Sequence, residues 1–328
     1  MRIGVLGAGV TGSRVVAHLL TLGSTTLSVS STSRAKAQQL ASLYRTADHT
    51  IDVVELSELS QCNVVVLACA KPHFSVVSSL IQVGVSVVSL SDDLSDTMKL
   101  LDLHDLAVSR EATLVVGAAA SPGMSALLVH HARSHFDAID EVHVALHGTG
   151  GPNCAHQHHD ALAGQSIGWH DDDWLRRPAG SGRELCWFPE PVGAYDCYRA
   201  EMSDPVLLKY AMPELQRITA RMSATRRDRF TSRLPMMAPP HAEGGMGSVR
   251  VEVRGWHEKS RTTQIYGVTE QIAQIAGCVA SSVAHQLAVA SSHESGVTVL
   301  GSPTISNDRI LSLVRQSGIR VHQFVGTR

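Results

Sequence analysis

The sequence predicts an α/β fold: a doubly wound parallel sheet over residues 1–123 and a second, α+β domain over residues 124–295, built on a mostly antiparallel sheet. Three observations predict it. The chain opens on an apolar run, Ile3–Leu6, followed by Gly7, Gly9 and Gly12 and then by Val15, Val16, Leu19 and Leu20 at helical spacing. Short apolar runs at 26–30, 63–69, 85–90 and 112–117 then alternate with helical patterns, which is the rhythm of βαβ units. Beyond residue 140 the texture changes to period-two alternation at 141–147, 249–254 and 262–267, as in strands with one buried face.

The opening glycines carry chemistry as well as shape. Their G-x-G-x-x-G spacing between a strand and a helix is the fingerprint of a Rossmann dinucleotide site. Gly7 allows the tight turn, Gly9 admits a pyrophosphate to the backbone, and Gly12 lets the helix pack on the strand. Gly7, Gly9, Val10, Thr11 and Gly12 are therefore the expected phosphate contacts, with the positive end of the helix behind them. An NAD site would place an acidic residue about 20 residues further on, to accept from the ribose 2′-hydroxyl. The second strand, 26–30, is followed instead by Ser31, Thr32, Ser33, Arg34 and Lys36. Hydroxyls and a guanidinium suit a 2′-phosphate, so Ser31, Thr32 and Arg34 predict NADP in preference to NAD. The alternative is that Arg34 and Lys36 are solvated residues opening the next helix.

The following units place side chains at the carboxyl edge of the sheet, where open α/β sheets hold ligands. A short strand is expected over 50–56. The strand at 63–69 ends in a loop whose Ala68, Cys69 and Ala70 should flank the nicotinamide half of the cofactor, with Lys71 and His73 beyond. A helix over 74–83 leads to the strand at 85–90, which ends in Asp92 and Asp93 before a helix over 94–109. Lys71, His73 and Asp92 are the acid/base candidates, Asp92 foremost, because adjacent carboxylates diverge and one of the two is free to cap the helix. After the strand at 112–117, Ser121-Pro122-Gly123 reads as a polar cap and proline opening a helix over 124–135. That helix start could hold a carboxylate, which makes Ser121, Gly123 and Met124 substrate-binding candidates.

Several of these segments together resemble a known family. Val5-Leu-Gly-Ala-Gly-Val-Thr-Gly12, Gly84-Val-Ser-Val-Val-Ser-Leu-Ser91 and Gly117-Ala-Ala-Ala-Ser-Pro-Gly-Met-Ser-Ala-Leu-Leu128 look like the saccharopine dehydrogenase (reductase-type) superfamily. So do Trp187-Phe-Pro-Glu-Pro-Val-Gly193 and Gly318-Ile-Arg-Val-His-Gln-Phe324. The resemblance implies an oxidoreductase that reduces imines or oxidises amines with a nicotinamide cofactor, on an amino-acid- or polyamine-like substrate. A different class stays open beside it: an NADP-binding sensor or scaffold without turnover.

In the second domain, 195–201 and 217–223 could add strands, and a long helix follows residue 268. A sheet with one open face calls for a covering layer, so a homodimer is expected, as in similar proteins. The closing segment, about 296–328, is expected to pack back on the first domain. The stretch 147–173 is rich in Cys, His and Asp, yet it has no H-E-x-x-H or C-x-x-C spacing, and no metal site is predicted. A helix over 155–164 should follow the Gly148-Thr-Gly-Gly151 turn, with His156 or His159 near substrate or on a solvated face. A net charge of −2 without long runs gives no footprint for nucleic acid or an anionic membrane. Six cysteines without a regular framework suit a reducing cytoplasm, and no apolar run is read as a membrane span or signal peptide.

Overall fold

The computed structural model describes residues 1–236, 239–290 and 294–324. The first six strands are β1 (Ile3–Leu6), β2 (Thr26–Ser30), β3 (Thr50–Val53), β4 (Val64–Leu67), β5 (Ser86–Ser89) and β6 (Thr113–Val116). The helices between and after them are α1 (Val10–Thr21), α2 (Arg34–Tyr44), α3 (Phe74–Gln82), α4 (Leu94–Leu101), α5 (His104–Ser109) and α6 (Met124–Ala132). β1, β4 and β6 are buried along their whole length, as parallel strands covered on both faces must be. Two boundaries differ from expectation. β3 stops at Val53 because Glu55 and Glu58 form a reciprocal capping box that opens a short 3-10 turn. The helix expected over 94–109 is two helices, and the break lets His104 Nδ1 accept from the Val297 backbone N–H.

The second sheet is built from β7 (Ala138–His147), β8 (Gln165–His170), β9 (Asp173–Pro178), β10 (Glu184–Trp187), β11 (Ala194–Arg199), β12 (Arg217–Ser223), β13 (Met246–His257) and β14 (Ser260–Gln271). Between them lie α7 (Pro152–Ala161), α8 (Asp204–Ala211) and α9 (Arg226–Thr231), and after them α10 (Ile272–Val289). The sheet is mostly antiparallel; β7 with β12 is its parallel pairing among the described residues. Two-residue turns with positive φ, Asp171-Asp172 and Glu258-Lys259, join β8 to β9 and β13 to β14 as hairpins of the kind right-handed strand twist favours. Val249, Val251 and Val253 point into the core, while Arg250, Glu252 and Arg254 lie on the outer face and pair with one another. The Trp-Phe-Pro-Glu-Pro-Val-Gly segment crosses that outer face. Phe188 packs with Ala145 and Cys197, and Thr269 Oγ1 donates to the Pro189 carbonyl.

The closing segment is divided between the sheets. β15 (Gly296–Val299) pairs with β6, completing the order β15-β6-β5-β4-β1-β2-β3. After α11 (Asn307–Gln316), β16 (Val321–Gln323) pairs antiparallel with β14, so this strand leaves the first domain and covers an edge of the second sheet. Helix α10 joins the two halves. Its Gly277 faces the Arg14 backbone so closely that an added Cβ would stand 2.6 Å from Arg14 Cβ. By length and apolarity α10 could cross a bilayer, contrary to the reading of the sequence, but 83% of it is buried in the protein.

Candidate active site

The glycine turn is made by backbone. Gly7 has φ +121°, and a Cβ there would lie 2.6 Å from the Ala68 carbonyl oxygen. A Cβ on Gly12 would overlap the Gly7 carbonyl oxygen, whereas one on Gly9 would meet nothing within 4 Å. The packing role of Gly12 and the open approach at Gly9 are what a bound pyrophosphate requires. Gly9 caps α1 without a side-chain bond, so the N–H groups of Val10, Thr11 and Gly12 have no intrahelical acceptor and form an anion-binding end. The residues present thus fit a dinucleotide. Gly151, which precedes α7, comes against Val10, with its Cβ position 3.2 Å from Val10 Cγ2, so the second domain closes over this turn.

At the end of β2, Ser33 caps α2 by accepting from the Lys36 N–H, and Ser31 Oγ accepts from the Ser33 N–H. Thr32 is exposed. Arg34 is exposed and paired at 2.5 Å with Glu55, a carboxylate from the β3 side that inspection of β2 alone does not find.

The loop after β4 is pinned from below. Asp96, buried on α4, accepts from the backbone N–H groups of His73 and Phe74 and from Ser91 Oγ. His73 is 1% exposed, and its two ring nitrogens are occupied: Nε2 donates to the Cys69 carbonyl at 3.1 Å, leaving Nδ1 to accept from Ser89 Oγ at 2.9 Å. Burial lowers its pKa. The structure therefore turns His73 inward, away from the reacting groups, because it closes the first turn of α3 onto the strand ends. Ala68, Cys69 and Ala70 remain at the strand end beside the glycine turn.

Lys71, Asp92 and Asp93 do come together, along one wall of a cleft. Lys71 Nζ donates to Asp93 Oδ2 at 2.6 Å, while Asp93 Oδ1 caps α4 by accepting from the Asp96 N–H. Asp92 also lines the cleft and, unlike Asp93, does not cap the helix. Its partner is His158 of α7, whose Nε2 lies 3.8 Å from Asp92 Oδ2 and 3.5 Å from Cys154 Sγ. Burial raises the Asp92 pKa, against the opposing charges of His158 and Lys71. Burial also works against charge on His158, but Cys154 and Asp92 outweigh it and lift this imidazole to about 9. The opposite wall adds Leu146, Asp160, Glu201, Met202 and Met222.

Among the expected substrate contacts, Ser121 lines the cleft, but its hydroxyl donates to Asp204 Oδ2 at 2.9 Å and does not cap α6. Gly123 takes the capping position, in a conformation where a Cβ would overlap the Ala119 backbone. Met124 is fully buried, and His156 is exposed and outside the cleft lining. Cys154 and His158 lie in the Cys-, His- and Asp-rich stretch that the sequence left without a site, although their i, i+4 spacing was visible there.

Compared with known proteins, residues 1–87 match the family model described as Shikimate / quinate 5-dehydrogenase. No curated protein matches the sequence. In structure, apo saccharopine dehydrogenase (L-Glu forming) from Saccharomyces cerevisiae superposes with a TM-score of 0.72 at 15% identity, over 99% of this chain and 100% of that one. The chain shares the fold of that structure. C. glutamicum DAP dehydrogenase in complex with DAP is more distant, at a TM-score of 0.52 and 12% identity over 95% of this chain and 98% of that one. In this chain the glycine turn lies at the carboxyl edge of the first sheet, and the cleft lies between that edge and α7.

Proposed function

We propose that this chain is an NADP-dependent oxidoreductase acting on a carbon–nitrogen bond of a small, cationic amine or the corresponding imine. The observation that carries the reading is the charge of the cleft beside the glycine turn. Asp92, Asp93, Asp160 and Glu201 face it, against Lys71 and His158, and no arginine lines it among the described residues. Such a lining attracts a protonated amine and offers little to a substrate bearing several carboxylates. Within the amino-acid- and polyamine-like range, the polyamine-like end is favoured.

The nicotinamide, when bound, supplies the hydride chemistry. The chain's own residues do the rest. Val10, Thr11 and Gly12 would hold the pyrophosphate through backbone N–H groups, with Ser31, Thr32 and Arg34 toward the 2′-phosphate. Releasing Arg34 from Glu55 costs little, since exposed ion pairs contribute about 0–1 kcal/mol. Asp92, lining the cleft, takes or returns the proton of the reacting nitrogen in this reading, and Asp160 and Glu201 hold the cationic end. Leu146, Met202 and Met222 exclude water from that wall. A cytoplasmic homodimer, joined through the outer face of the second sheet, completes the reading.

The test is NADPH oxidation by purified protein with diamines and amino acids, each paired with aldehydes or oxo acids. Turnover confined to amine-containing mixtures supports the reading. Tight NADPH binding without turnover in any mixture would leave the sensor in its place.

A further inference from the structure

We propose that Asp92, Cys154 and His158 form a binding site for a zinc-class divalent cation that joins the two walls of the cleft. One ligand atom from each residue lies within 4.8 Å of the others. The Cys154 Sγ to His158 Nε2 edge is 3.5 Å and the His158 Nε2 to Asp92 Oδ2 edge is 3.8 Å. Around tetrahedral zinc, with bonds of about 2.0–2.3 Å, neighbouring ligand atoms sit roughly 3.3–3.6 Å apart. The cluster is within a small side-chain adjustment of that geometry.

The arrangement is also unlike a nucleophile relay. In a Cys-His-Asp relay the sulfur and the carboxylate address opposite nitrogens of the imidazole. Here both address Nε2, so three donor atoms converge on one point. Cys154 and His158 project from one face of α7 at i, i+4, as two ligands on a helix do in helical metal motifs, and Asp92 comes from the loop after β5. Sulfur, imidazole and one carboxylate together select zinc-like ions over magnesium or calcium. All three residues are half-buried, and Asp92 and His158 line the cleft, leaving a fourth position open toward it. Lys71, the nearest cation on that wall, is already held by Asp93. The ion and a protonated amine are alternative occupants of the Asp92 carboxylate.

This inference goes beyond the nucleotide reading, and its metal titrations contain no nucleotide. The full chain, stripped of metal, is titrated with Zn²⁺ against a chromophoric chelator and, separately, with Co²⁺ while the absorption spectrum is recorded. The expected result is one ion per chain, with intense tetrahedral cobalt bands and a sulfur-to-cobalt charge-transfer band. Outer-shell changes at metal sites cost 10–100-fold in affinity, so Cys154→Ser and His158→Gln should weaken binding by about 100-fold or more. The charge-transfer band should vanish in Cys154→Ser, while His156→Ala, on the exposed side of α7, keeps both affinity and band. Circular dichroism and NADPH calorimetry on each variant separate a lost ligand from a lost fold. Absence of a stoichiometric ion, a cobalt spectrum without the sulfur band, or equal affinity in Cys154→Ser and His158→Gln would overturn the proposal. Loss of NADPH binding alone would overturn only the nucleotide reading.

Discussion

At the glycine turn the working groups are backbone atoms from consecutive residues, Gly7 to Gly12; in the cleft beside it they are side chains from separate segments, Asp92 after β5 and Cys154 and His158 on α7. The first wall tolerates most changes of charge but no added Cβ at Gly7 or Gly12. The second tolerates changes of backbone detail but depends on each charge having a partner in a half-buried place. A wall made of backbone holds what nucleotides share, and a wall made of side chains distinguishes one substrate from another.

The sharpest way to break this contrast is Gly12→Val. Its Cβ would overlap the Gly7 carbonyl, so nucleotide binding should fall below detection by calorimetry and stability should drop by about 3 kcal/mol in urea denaturation. Near-normal binding would mean that the turn is not a packed backbone cradle. On the side-chain wall, Asp92→Asn should lower turnover of the amine by about 100-fold or more while NADPH binding stays unchanged. A matching loss of nucleotide affinity would erase the division between the walls.

Behind the second wall, Asp204 accepts from Ser121 and Ser125, yet burial holds its carboxyl up to about 6. The folded protein then keeps a proton that the unfolded chain releases near pH 4. Stability contributed by this group is therefore highest below about pH 4 and is lost as pH rises toward 6, by up to roughly 3 kcal/mol. Urea denaturation at a series of pH values should show that slope in the native chain and a flatter profile in Asp204→Asn. The smallest expected effect is Arg34→Ala, which should weaken NADPH about tenfold, near 1.4 kcal/mol, and leave NADH unchanged. Equal losses for both nucleotides would remove the assignment of Arg34 to the 2′-phosphate.

The same contrast explains what could be read in advance. The parallel sheet and its glycine turn were legible because strand burial, turn and helix start are encoded by neighbours in sequence. That one of the two adjacent carboxylates would cap the helix also followed from local geometry, and Asp93 is the one that does. His73 was misplaced because position at a strand end does not say whether a ring turns inward, and the groups that draw it inward, Ser89 and the Cys69 carbonyl, act only once the fold is closed. Glu55 reaches Arg34 from another strand, and Asp96 reaches the His73 loop from within a helix. Neither contact leaves a periodic trace. The β8–β9 hairpin did leave one, since adjacent Asp171 and Asp172 are residues that tolerate the left-handed turn. The strand character of β16 was readable, but which sheet edge it would join was not.

The pairing of β15 with β6 bears on the order in which the molecule can be made. On a ribosome, β1 to β6 emerge early, but β6 keeps an unpaired edge until residues 296–299 have followed the whole second domain out. The nascent first sheet thus carries an open strand edge throughout the synthesis of the second domain, the kind of surface that invites pairing with another chain. Covering that edge is left to β15, so the first sheet is completed only after residues 124–295 have been made.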